Sequence, residues 1–254
     1  QKFVDDKVWH DTDEFCYAIE GIVFGPTTNL AQLYKQYNET FPNVLRGSFS
    51  GFFYDKKKKL FLLFNDHIGD KMLFYFEDEH GVAFASDWSI LYHSLGDRCS
   101  KKINERFCWS MLTYGYSPIF ETPITTIHRL GAGEYLCISE QQCQRKRYHQ
   151  FSNEEKTLSK QDCLSHIDKL FRQAVQRVLD KNAQYGYPNS LSLSAGLDSR
   201  MSVCVTRSLC TGLLHTITYS QSDYYDQYIP EKIAKQWHCK PHFTALDGGS
   251  YLQN

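Results

Sequence analysis

Six residues, Ser194-Ala195-Gly196-Leu197-Asp198-Ser199, all but Leu197 small or polar and with Arg200 directly after them, are the part of this 254-residue chain best suited by type and spacing to chemistry. Before them Asn189 to Leu193 alternates like a strand, and after them Met201, Val203, Val205 and Leu209 recur at helical spacing. A strand, a tight turn and a helix start meet there. Such a junction presents unpaired backbone N–H groups to an anion, Ser194, Ser199 and Arg200 add donors, and the Asp198 carboxylate suits a metal or a ligand amine. The plain alternative is an ordinary strand-to-helix loop. Neither a dinucleotide fingerprint nor a Gly-x-x-x-x-Gly-Lys-Ser/Thr loop occurs in the chain.

The hexapeptide resembles the Ser-Gly-Gly-x-Asp-Ser pyrophosphate loop of the ATP pyrophosphatase family, in particular its asparagine synthetase branch, with Ala195 where the family has glycine. What this resemblance implies is a site for ATP and Mg²⁺. Ser194, Gly196, Asp198 and Ser199 would shape or contact the pyrophosphate, with Asp198 acting through Mg²⁺ and Ala195 making the fit slightly tighter. Arg200 would add positive charge at the rim or bridge outward to the preceding domain. Leu193 and the segment Thr218-Tyr219-Ser220 would line the adenine and ribose region. The acidic residue that follows the second strand in the family falls at Asp226, which reads here as a helix cap.

The elements that must position this loop alternate strand and helix. Cys163 through Leu179 is an amphipathic helix with Leu164, Ile167, Leu170, Phe171, Ala174, Val175 and Val178 on its apolar face. Leu213 to Tyr219 is a second strand, Tyr224 to Trp237 a helix, and His242 to Leu246 the start of a third strand. This order describes a parallel sheet covered by helices, with a ligand at the carboxyl ends of the strands.

The first 150 residues are patterned differently. Phe15 to Ile19 reads as a strand, Gly21 as a bend and Ile22 to Phe24 as its continuation; Asn29 caps a short helix. Phe49 to Tyr54 and Leu60 to Phe64 form one hairpin around the solvated turn Lys56 to Lys59, and Met72 to Phe76 with Val82 to Ala85 a second. Asp66 is placed to accept backbone N–H bonds, and Asp87 to cap a helix beginning near Trp88. Further helical spacing from Ile103 ends at Gly115 and Pro118, and the polar stretch Gln150 to Lys160 reads as a linker.

The segments Leu45 to Asp55, Asn65 to Tyr75 and Phe84 to Asp87 resemble, in order and spacing, segments of the N-terminal glutaminase domain of asparagine synthetases. That resemblance implies an N-terminal-nucleophile fold with two antiparallel sheets between helices. It also implies a chemistry that this sequence departs from. The family's nucleophile is an N-terminal cysteine whose free amine acts as base, whereas the chain begins at Gln1 and Cys16 lies inside a strand. The family's oxyanion asparagine falls on Glu20, a carboxylate that repels a developing oxyanion, and its glutamine-gripping aspartate falls near Thr27.

The expected architecture is therefore two domains. Residues 1–150 form an α+β, glutaminase-like domain that has lost glutamine hydrolysis, and residues 160–254 begin an α/β domain like that of adenine nucleotide alpha hydrolases. The chain, starting without methionine and stopping soon after a third strand, is expected to be a piece of a longer protein. The reaction implied is amide formation: a small-molecule carboxylate is activated as an acyl-adenylate, pyrophosphate leaves, and an amine or ammonia captures the acyl group. Two other readings share these residues, a non-catalytic relative that keeps the scaffold and another adenylating enzyme with the same loop.

Composition excludes other classes. With 28 Lys and Arg against 29 Asp and Glu, the formal charge of −1 gives no footprint for nucleic acid or an acidic membrane. No apolar stretch approaches the roughly 18 residues of a membrane span, and the expected setting is the cytoplasm. Nine cysteines without a Cys-x-x-Cys pair fit reduced thiols better than a disulfide framework or structural zinc.

Overall fold

The alternating segments of the first half pair as antiparallel strands, as their patterning predicts. The computed structural model describes residues 3, 7–25, 29–118, 121–154 and 157–252, so that Thr27 lies outside the described residues. Two units, Gln1–Asn153 and Glu154–Asn254, each have their own sheets and core.

In the first unit, β1 (Lys7–Asp11), β2 (Phe15–Phe24), β3 (Arg46–Asp55), β4 (Leu60–Asn65), β8 (Glu134–Ile138) and β9 (Cys143–Arg147) make a six-stranded sheet in that order. A three-stranded sheet has β5 (Phe74–Asp78) between β6 (Gly81–Ala85) and β7 (His128–Arg129). Helix α1 (Leu30–Tyr37) and Phe41 cover one face of the large sheet, packing on Ile19, Phe49, Phe53, Leu62 and Phe64. The other face meets the small sheet through Leu63 and Leu136 against Leu73, Tyr75 and Leu130. Phe74 and Phe76 then pack on Leu91 and Leu95 of α2 (Trp88–Leu95). This is an antiparallel, N-terminal-nucleophile-hydrolase-like domain.

Gly21 does not interrupt the strand, contrary to the bend expected there. It stays in register opposite Phe49 with φ 116°, a conformation that L side chains rarely adopt, and a Cβ at this position would collide with the Ser48 carbonyl oxygen. The two caps form as expected: Asn29 accepts from Gln32 N–H, and Asp87 from Ser89 and Ile90 N–H. At the lysine turn, Lys56, Lys57 and Lys59 pair with Asp11, Glu14 and Glu140 at a solvated hairpin end.

Two buried carboxylates tie the loops to this framework. Asp66 is fully buried and accepts N–H bonds from Phe49, Ile68, Asp70 and Lys71 at 3.0–3.2 Å. Glu134, also buried, accepts from Gly131 N–H and from Arg145 and Arg147. Burial pushes the Glu134 carboxyl up, but the Arg147 and Arg145 guanidinium groups outweigh it and hold the group below the usual carboxylate range.

In the second unit, β10 (Asn189–Ser192), β11 (Leu214–Ser220) and β12 (Lys240–Ala245) form a parallel sheet in sequence order. Helices α4 (Lys160–Gln184), α5 (Leu197–Leu209) and α6 (Tyr225–Gln236) complete an α/β unit consistent with an adenine-nucleotide-alpha-hydrolase-like fold. Leu193, Val203, Leu214, Ala234 and Cys239 form its core. The apolar face expected on α4 is only partly used. Leu164, Ile167 and Leu170 are 51–63% exposed within this unit, and burial reaches Leu179. The helix has 25 residues, roughly 37 Å at 1.5 Å per residue, and is longer than any strand of the sheet, of which β11 has seven residues; it lines a cavity with β10 from Phe171 to Asn182.

Replacing Asp66 by Ala leaves four amides without their acceptor and should cost on the order of 3 kcal/mol in chemical denaturation. Glu134→Gln should destabilise by about 3 kcal/mol at pH 7, since it leaves two arginines facing a neutral group. A carboxylate with a depressed folded pKa gives stability that is present above its unfolded value, near 4.5, and lost as pH falls through the folded value. The gap between wild type and Glu134→Gln in thermal melts should therefore narrow as pH is lowered below 4.5.

Candidate functional site

Strand β10 ends at Ser192, and Leu193 carries the chain into the loop while its side chain, 2% exposed, is taken up by the core. Its backbone is fixed from both sides: Leu193 N–H donates to Ile217 O at 2.9 Å, and Thr218 Oγ1 donates to Leu193 O at 2.8 Å. Neighbouring strand β11 thus sets where the loop leaves the sheet. Gly196 is the N-cap of α5 and has no side chain with which to cap the first-turn amides.

The expectation of unpaired loop amides is corrected at three positions. Ser194 N–H donates to Ser199 Oγ at 3.0 Å, Ala195 N–H to Asp226 Oδ1 at 2.6 Å, and Gly196 N–H to Ser194 Oγ at 3.1 Å. The physical reason is proximity: the loop folds back on the first turn of α5, and the β11–α6 crossover delivers a carboxylate to its middle. Ser194 and Ser199 hydroxyls lie 3.0 Å apart, and Ser199 also reaches Ser194 O and Gly196 O. Arg200 Nε donates to Gly196 O at 3.2 Å, so its guanidinium is folded onto the loop. Asp198 is exposed at the start of α5, and its carbonyl accepts from Ser202 Oγ.

Asp226 is not the helix cap that the sequence suggests. Tyr224 is the N-cap residue of α6, without a capping side-chain bond, and Asp226 lies within the first turn with its carboxylate turned to Ala195. The sequence signal for this role was its place just after a strand adjacent to β10, since parallel neighbours bring their following loops to one sheet end. Among the described residues, no group of three or more His, Cys, Asp or Glu side chains is placed to hold a metal ion.

In the first unit, exposed Glu20 borders a cavity of about 200 Å³ lined also by Ile19, Ser50, Phe52, Phe84 and Ser86. Its place opposite Ser50 fixes it on β2, and a carboxylate at that cavity disfavours negative charge developing beside it.

A family model described as a glutamine amidotransferase domain matches residues 25–149. This stretch is thus similar to a glutamine amidotransferase domain, of the kind that asparagine synthetase-type enzymes carry. The match to the amidotransferase domain begins after Glu20, so the role of that position rests on the segment-by-segment resemblance. Asparagine synthetase [glutamine-hydrolyzing] 2 of Bacillus subtilis (strain 168) is 27% identical over 183 residues, which cover 67% of this chain and 24% of that protein. The chain therefore spans about a quarter of that relative's length. Among solved structures, glutamine phosphoribosylpyrophosphate amidotransferase from B. subtilis, complexed with ADP and GMP, overlaps 95% of this chain and 73% of its own at TM-score 0.34 and 10% identity. The allosteric regulatory enzyme of purine biosynthesis overlaps 58% of this chain and 32% of its own at TM-score 0.37 and 12% identity. Among the described residues, no helix is long and apolar enough to cross a membrane.

The Ser199 hydroxyl holds the loop that follows β10. Ser199→Ala removes the acceptor of Ser194 N–H, and hydrogen exchange at that amide should accelerate about tenfold while the core amides of β11 keep their protection.

Proposed function

We propose that this protein is part of an ATP-dependent amide-forming ligase of the asparagine synthetase kind, acting in the cytoplasm. Residues 1–150 serve as a glutaminase-like platform that does not hydrolyse glutamine, and residues 160–254 begin the ATP pyrophosphatase domain. A small-molecule carboxylate attacks the α-phosphate of ATP and pyrophosphate leaves; an amine or ammonia then attacks the acyl carbon of the acyl-adenylate, forming the amide and releasing AMP and a proton. The observation that supports this most directly is Ala195 N–H holding an anionic oxygen at 2.6 Å, at the carboxyl end of a parallel strand. A loop amide that seats a carboxylate oxygen has the donor chemistry to seat a phosphate oxygen.

The residues at the loop fit the implied groups in kind. The Ser194 and Ser199 hydroxyls and the first-turn amides of α5 offer donors to the leaving pyrophosphate, stabilising charge that grows as the bond to the α-phosphate breaks. Asp198 is an exposed carboxylate beside them, suited to Mg²⁺ that takes most of its ligands from phosphate and water. When bound, Mg²⁺ supplies charge neutralisation for the leaving group. Arg200, held on Gly196 O, places positive charge next to the same donors.

In the full-length protein, Asp198→Ala should lower substrate-dependent pyrophosphate release from ATP by at least about 100-fold, with the fold unchanged by circular dichroism because the side chain is exposed. Unchanged release in the variant, or no ATP binding in wild type, refutes the adenylating reading and favours a non-catalytic scaffold. Glutamate release from glutamine should be absent in the same protein, and its appearance overturns the reading of Glu20.

A further inference from the structure

The three loop amides are not held by equivalent acceptors. Ser194 and Gly196 N–H groups bond to the hydroxyls of Ser199 and Ser194, neutral groups that can rotate away and that have other partners. Ala195 N–H bonds to a carboxylate at 2.6 Å, at the short end for a charge-assisted bond. A phosphate oxygen that takes this amide must displace an oxygen that already bears negative charge, and the displaced carboxylate then faces the incoming anion at close range.

The displaced group has somewhere to go. Asp226 lies in the first turn of α6, whose N-cap Tyr224 makes no capping side-chain bond, and the positive end of that helix favours a carboxylate. The crossover around it is braced independently: Asp223 N–H donates to Gln227 Oε1 at 2.8 Å, and Tyr228 Oη bonds Asp223 Oδ1 at 2.9 Å. Release of Asp226 from Ala195 therefore leaves both of these bonds in place.

We propose that Asp226 is a specificity-determining residue of the loop, an internal anion that any phosphate ligand must replace. This rests on the phosphate-loop reading above. A small anion alone exchanges one negative oxygen for another and leaves Asp226 facing it. A pyrophosphate or triphosphate chelated to Mg²⁺ brings more donors into play and carries a cation that offsets the carboxylate. The loop thus discriminates for cation-bound polyphosphates and against sulfate, inorganic phosphate and other small anions.

The test is calorimetric titration of the intact protein, wild type and Asp226→Asn, with Mg²⁺-pyrophosphate and separately with sulfate. Asparagine keeps the shape and an acceptor oxygen but removes the charge. Sulfate affinity should rise about tenfold in Asp226→Asn while Mg²⁺-pyrophosphate affinity changes much less, so that discrimination falls. An unchanged ratio of the two affinities overturns the proposal and leaves the phosphate-loop reading standing. If neither protein binds Mg²⁺-pyrophosphate, the phosphate-loop reading fails and the proposal with it. A second measurement needs no variant: on titrating wild type with Mg²⁺-pyrophosphate, the Ala195 amide resonance should shift as its partner changes. If that amide keeps its free-state resonance at saturation, Asp226 is a strut of the loop and not a gate.

Discussion

Strand β4 is apolar on both sides, and the first unit is assembled around that fact. Leu62 and Phe64 point into the core under α1, while Leu63, with half-buried Phe61 beside it, faces the small sheet. Leu62, Leu63 and Phe64 are fully buried, each contributing roughly 1.5–3 kcal/mol relative to exposure. A strand that is apolar on both faces has a weakness: a slip of one residue exchanges the faces and still buries apolar groups. The residues at its end remove that ambiguity. Asn65 Nδ2 donates to Leu130 O, Tyr148 Oη donates to Asn65 O, and Asp66 gathers four amides, so only one register satisfies them all. Polar bonds choose the pairing that apolar burial drives.

The second unit is ordered by a different constraint. Its loop is closed by its own serines and is tied to its neighbours by two bonds, Thr218 Oγ1 of β11 on Leu193 O and Asp226 of α6 on Ala195 N–H. The family match covers residues 25–149, whereas the loop with the chemistry proposed for ATP lies at 194–200. The family match and the proposed chemistry thus reside in different units of the chain.

What the sequence made legible follows the same division. Both hairpins, the Asn29 and Asp87 caps and the amide-gathering role of Asp66 could be read because their partners lie within a few residues or follow from strand alternation. The parallel order of β10, β11 and β12 was legible from strand-helix alternation. Asp226 was assigned to its own helix because local capping is the nearest use for an aspartate there, whereas its actual partner is 31 residues away and is reached only once β11 lies beside β10. The apolar stripe on α4 was correctly seen as apolar, but periodicity says nothing about how much of a helix finds a surface to cover.

Gly21, next to Glu20 on β2, is a glycine that the fold itself requires. Its backbone lies so close to β3 that any side chain would meet the Ser48 carbonyl, and Gly47 meets the same restriction from the Ile22 carbonyl on the facing strand. Packing alone is therefore enough to hold glycine at both places. A glycine at either position thus reports the close approach of two backbones and carries no information about a reaction.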